Sequence, residues 1–164
     1  AIIYLVTINL SEICLIVFAT ALNLPAILLP TQILWINLAT DGFPALALAT
    51  DKTSHAVLND PPRNTKTPLI TKSRLVRIVA IGTGLAGALV LLYSILLDHT
   101  PVLVARTIVF DGLIVSHLLL ALLIRGRSLR TLSPLFISTI LITLVVQTII
   151  TFTPFFQRLF QIGF

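Results

Sequence analysis

Apolar residues run through this chain in blocks too long for a soluble core, and polar residues gather in the gaps between them. Five stretches stand out, near Ala1–Leu22, Ile33–Leu48, Leu75–Leu97, Val102–Ile124 and Leu132–Phe152. A helix needs about 20 apolar residues to cross a bilayer core. Each stretch meets or approaches that length, and Ile33–Leu48 falls short only because polar residues interrupt it. Prolines, which lack an amide donor and restrict the residue before them, punctuate the pattern. Pro25 and Pro30 bracket a turn after the first helix, and the next helix is expected to begin near Thr31–Gln32. Pro61, Pro62 and Pro68 make Thr50–Ser73 a loop. Asp98–Pro101 is a tight turn, and Pro154 ends the fifth span before an amphipathic tail, Phe155–Phe164. The pattern predicts an all-α, polytopic membrane helix bundle of about five transmembrane helices.

Composition agrees. Of 164 residues, 57% are hydrophobic and only 10% charged, too few charges to cover a soluble surface. The net charge of +5 raises the question of nucleic acid, and its distribution answers it. Six of the 11 Lys and Arg (Lys52, Arg63, Lys66, Lys72, Arg74, Arg77) lie in or beside one connection, and three more (Arg125, Arg127, Arg130) in another two spans later. Loops two spans apart share a side of the membrane, so the excess is the positive-inside signature of cytoplasmic loops. No nucleic-acid partner is expected; the partner is the lipid bilayer. The protein is expected to be integral and multi-pass, in the plasma (inner) membrane. The first segment lacks a basic flank and contains Glu12, so it is not a signal peptide. A single cysteine, Cys14, excludes an internal disulfide and paired-thiolate metal motifs. The chain holds no methionine and opens directly in apolar sequence. A chain lacking its natural start would have this form, as would one that had lost an initiator methionine before Ala1.

Polar residues inside the spans carry the chemistry. Asn9 and Glu12 are three apart on the first helix and share a face; Asn37, Thr40 and Asp41 share one on the second. The short connection predicts that these two helices are antiparallel neighbours. Taken singly, Asn9, Asn37 and Thr40 serve equally well as hydrogen bonds between helices. Two carboxylates near mid-span demand a counter-charge or protonation, and neither span contains a basic residue. A bound cation supplies the charge. Carboxylate, amide and hydroxyl oxygens are hard donors suited to Ca²⁺ and, less well, to Na⁺ or Mg²⁺. Cys14 lies two positions from Glu12 and points away from it, which disfavours copper or zinc. Gly42 and Pro44 follow Asp41 and weaken the helix there, freeing backbone carbonyls to coordinate.

The run Leu34-Trp35-Ile36-Asn37-Leu38-Ala39-Thr40-Asp41-Gly42-Phe43-Pro44-Ala45 closely resembles the sixth transmembrane helix of P-type calcium ATPases, L-W-x-N-L-x-T-D-G-x-P-A. Asn9-Leu10-Ser11-Glu12-Ile13 is similar to the N-x-x-E-V/I of the family's fifth helix. Pro61-Pro62-Arg63 with Pro68-Leu69 resembles the loop after the sixth helix, and Ala105-Arg106-Thr107 with Phe110 the start of the eighth. The tail Phe155-Phe156-Gln157-Arg158-Leu159-Phe160 is similar to the segment before the tenth. The resemblance therefore makes residues 1–164 the C-terminal transmembrane domain of a cation-transporting P-type ATPase, from the fifth helix to the ninth. The partners it implies are the remainder of a pump: the first four helices, the tenth helix and the cytoplasmic domains.

By that resemblance the chain belongs to a translocase exporting Ca²⁺ from the cytoplasm by alternating access, driven by ATP and Mg²⁺ bound in cytoplasmic domains absent here. This portion carries no catalytic residue. Asn9, Glu12, Asn37, Thr40 and Asp41 match the family's ion-ligand positions, with a further glutamate expected from the fourth helix. The eighth helix of two-site pumps supplies an acid at or near His117, where an imidazole is a poor calcium ligand; one transported ion is expected. His117 is itself either a packed, hydrogen-bonded residue or a proton carrier. Asp111, six positions away, faces elsewhere and is expected to pair with Arg106.

Two motifs are discounted. Asp51-Lys52-Thr53 imitates the family's phosphorylation motif but continues Ser54-His55, in a loop where the family has no such site. Gly82 to Gly87 spells G-x-G-x-x-G inside an apolar span with no preceding strand; its small residues suit helix packing, as in the family's seventh helix against the fifth. Two rival readings are a non-catalytic relic or accessory bundle, and a secondary transporter exchanging protons for cations. The residues leave the ion open among Ca²⁺, Mn²⁺, Na⁺ and H⁺.

Overall fold

The first helix, α1, spans Ile2–Ala21 in the computed structural model; its 20 residues cover about 30 Å, one bilayer core. The structure describes residues 2–50, 71–125 and 134–164. The loop holding Asp51-Lys52-Thr53, Pro61, Pro62, Arg63 and Pro68 lies outside the described residues, as do Arg127 and Arg130.

α1 stops at Asn23, whose φ of 53° is left-handed. The Leu24 amide donates to the Ala19 carbonyl and the Asn23 amide to the Thr20 carbonyl, both at 3.0 Å. These paired bonds let a left-handed residue close a helix. Pro30 opens α2 (Pro30–Ile36), at the position where a missing amide leaves no gap in the ladder. The Gln32 side chain caps it by accepting the Leu29 amide at 2.9 Å. α2 continues into a π-helical segment, Asn37–Gly42, and then into α3 (Phe43–Thr50). α4 (Lys72–Leu97) and α5 (Val102–Arg125) are joined by the predicted turn ending at Pro101. α6 covers Pro134–Phe152 and α7 Pro154–Phe160.

Among the described residues four helices, α1, α4, α5 and α6, are long and apolar enough to cross a membrane unbroken. The fifth expected span is the composite α2–π–α3. The chain is therefore an all-α, multi-pass membrane bundle. Its solvent is lipid, and the surface shows it: Leu34 and Leu123 are 72% and 76% exposed while Glu12, His117 and Gln147 are buried. These three polar side chains have turned inward, where other helices can satisfy them.

α5 is the hub. Val109, Phe110, Leu113, Ile114 and Ala121 on it are fully buried, and it touches α1, α3, the π segment, α4 and α6. α1 lies mainly along α4. Gly82 permits that approach, because a Cβ there would stand 3.2 Å from the Thr7 carbonyl oxygen and 3.3 Å from the Leu10 side chain. A Cβ at Gly84 or Gly87 would meet nothing within 4 Å, so the expected small-residue packing falls on one glycine of the three. The broken helix is not among the main neighbours of α1 within the described residues; both rest on α5. At one end of the bundle Tyr4 and Ile8 of α1 join Ala45 and Ala47 of α3 in one apolar cluster with Leu120, Ala121 and Phe136. The tail folds back on the bundle. Gln32 donates to the Phe160 carbonyl at 2.9 Å, and the Gly163 amide donates to Thr107 Oγ1 at 3.0 Å.

Candidate cation site

Glu12 sits near the middle of α1 and is only 5% exposed. A carboxylate at that depth is costly unless a charge or strong donors meet it. His117 of α5 brings its Nδ1 to 3.9 Å from Glu12 Oε1, beyond hydrogen-bond reach but within ion-pair range. The other ring nitrogen, Nε2, lies 2.9 Å from Ser11 Oγ. The Ser11 hydroxyl in turn lies 2.7 Å from the Ile8 carbonyl. A hydroxyl has one proton to give. Spent on Ile8, it leaves the Ser11 oxygen to accept from Nε2–H, which fixes the ring with Nδ1 toward Glu12. Imidazole and carboxylate are thus packed together at the centre of the bundle, both buried.

The second half of the site is a deformed helix. Pro44 lacks the amide that would serve the carbonyl four residues back, that of Thr40. Gly42 adds flexibility without being required by packing, since a Cβ there would meet nothing within 4 Å. The chain responds by widening into the π turn Asn37–Gly42, which ends two residues before the proline. Such segments take carbonyls off the regular ladder and recur at functional sites.

The predicted residues divide as follows. Glu12 is buried, Asn9 is exposed on the same helix and Asn37 is half-buried at the start of the π turn. Thr40 and Asp41 have backbones within that turn, but their side chains lie outside the described residues. Within the described residues no three His, Cys, Asp or Glu side chains converge. A cation held here would draw on amide, hydroxyl and carbonyl oxygens beside the carboxylates, a donor set that suits calcium.

Asp111 departs from expectation. Arg106 donates through Nε to the Ala26 carbonyl at 2.9 Å instead of pairing with it. Asp111 turns to α6, accepting from Gln147 Nε2 at 2.6 Å and Thr151 Oγ1 at 3.0 Å. Gln147 and Thr151 are four apart on one face of α6, and Gln147 carries the one amide side chain of that span. That pairing was the available signal, because two polar residues on one face of a membrane helix need a partner. The G-x-G-x-x-G run lies wholly inside α4, as a packing element would.

Residues 25–163 match the family described as cation transporting ATPase, C-terminus. Over 90 residues, 55% of the chain, the sequence is 41% identical to an endoplasmic reticulum calcium ATPase of Aspergillus fumigatus. The chain spans 9% of that relative's length. The relative's name places that protein in the endoplasmic reticulum, so the expectation of a plasma membrane has no support from it.

Proposed function

The chain belongs to the cation transporting ATPase C-terminus family, and from that premise we propose that it forms the ion-carrying membrane portion of an ATP-driven calcium pump. The buried Glu12 carboxylate carries the reading, together with a π-helical turn that bears Asn37, Thr40 and Asp41. Asn9, Glu12, Asn37, Thr40 and Asp41 supply oxygens to one calcium ion, and the opened backbone of the π turn adds carbonyls. The name of the 41% identical relative, a calcium ATPase, supports calcium over manganese or sodium. ATP and Mg²⁺ act in cytoplasmic domains of the pump, and the exposed Asn9 faces further helices of the same protein. Alternating access follows if those domains move the broken helix about its π turn while α1 stays clamped to α4.

His117 sets the stoichiometry in this reading. Its imidazole occupies the space beside Glu12 and offers nitrogen where calcium prefers oxygen, which leaves room for one ion. The test is calcium uptake into sealed vesicles by the complete protein. ATP-dependent uptake that disappears in Glu12→Gln supports the proposal. Uptake driven by a pH gradient without nucleotide would assign the site to a secondary transporter instead.

A further inference from the structure

Asp111 lies near the middle of α5, and hydrogen bonds link it to α6 and, through Gln147, to α2. Gln147 is the middle member. Its Oε1 accepts the Trp35 indole N–H at 2.7 Å, and its Nε2 donates to Asp111 Oδ1 at 2.6 Å. The orientation is forced. An indole N–H can only donate, so the amide oxygen must face Trp35 and its NH₂ must face the carboxylate. Thr151 adds a second donor to Asp111 at 3.0 Å. The carboxylate is therefore met by donors, and Gln147 has no oxygen left to offer it, an arrangement for fixing neighbours and not for holding a cation. Gln147 and Thr151 are 5% and 3% exposed, where hydrogen bonds are strong and costly to leave unmade.

The chain of bonds ends on the helix that feeds the proposed site. Trp35 is two residues before Asn37, the first residue of the π turn. Gln32, on the same face of α2, is bonded to the Phe160 carbonyl, and the Trp35 ring packs edge-on against Phe160 with centroids 6.2 Å apart. The rotation of α2 about its axis is thus set by two polar bonds, one of which depends on Asp111 through Gln147. We propose that Asp111 is a positioning residue of the transport site: through Gln147 and Trp35 it fixes the setting of α2, and with it the direction in which Asn37 and the π turn present their oxygens. The inference rests on the cation-site reading above.

The experiment uses the complete protein in vesicles and reads the calcium concentration for half-maximal uptake, the maximal rate and the melting temperature. Trp35→Phe keeps an aromatic ring against Phe160 but removes the indole donor, and Asp111→Ala removes the anchor. Each raises the half-saturating calcium concentration about tenfold, the scale of one buried hydrogen bond. The double variant is no worse than the worse single one, because both break the same chain. Asp111→Asn, whose amide oxygen still accepts from Gln147 or Thr151, stays within about threefold of wild type. A lowered melting temperature with unchanged half-saturation would overturn the inference, as would single effects that multiply in the double variant. A wild type without calcium uptake would remove the cation-site reading itself, and the inference with it.

Discussion

The two helices proposed to supply ligands are built in opposite ways. α1 is one regular helix, laid along α4 and held close to it at Gly82. The other is three pieces: α2, bonded through Gln32 and Trp35 to the α6–α7 side; the π turn; and α3, whose Ala45 and Ala47 sit in an apolar cluster. α1 presents Glu12 from a fixed frame, whereas Asn37, Thr40 and Asp41 ride on a segment already released from the α ladder. A pump must hold an ion firmly and later let it go. A rigid half and a deformable half divide those tasks, and each half has residues whose replacement tests the division.

The largest effect belongs to the rigid half. Glu12→Gln keeps the shape and removes the charge, and calcium-dependent uptake falls at least about a hundredfold, the loss of a charged ligand with no substitute. Next comes the clamp. Gly82→Val drives a branched side chain against the Thr7 carbonyl and destabilises the bundle by about 2 kcal/mol, read as a lower melting temperature in detergent. Gly84→Ala, facing open space, shifts stability by no more than about 0.5 kcal/mol. In the deformable half Pro44→Ala restores an amide for the Thr40 carbonyl and favours the regular ladder. Apparent calcium affinity then drops about tenfold with melting unchanged or raised. A loss of both together would mean that the π turn is ordinary scaffolding. Ser11→Ala, which frees the imidazole from its anchor, costs about 1 kcal/mol of stability.

Much of this frame was legible in the sequence. Apolar runs located the helices to within a few residues, since a bilayer leaves a chain no other way to satisfy its backbone. Pro30, Pro101, Pro134 and Pro154 stand at or beside helix starts. Gly42 and Pro44 announced the weak point, and the π turn ends at Gly42. Tertiary pairing was harder. Asp111 was expected to take the nearby opposite charge, Arg106, but its partners come from a helix 36 and 40 residues later and carry no charge. Asn9 and Glu12 share a helical face, yet only Glu12 is buried, because the packing of α1 against α4 and α5 decides which part of that face is covered. The closeness of His117 to Glu12 joins residues 105 positions apart, and no local pattern encodes it.

Equilibrium binding of radiolabelled calcium to the complete protein, counted per molecule for wild type and Glu12→Gln, bears most directly on the cation site. One ion per wild-type molecule and none at the same concentration in the variant is the predicted result. Undiminished binding in Glu12→Gln would contradict the site, and two ions in the wild type would contradict the role given to His117.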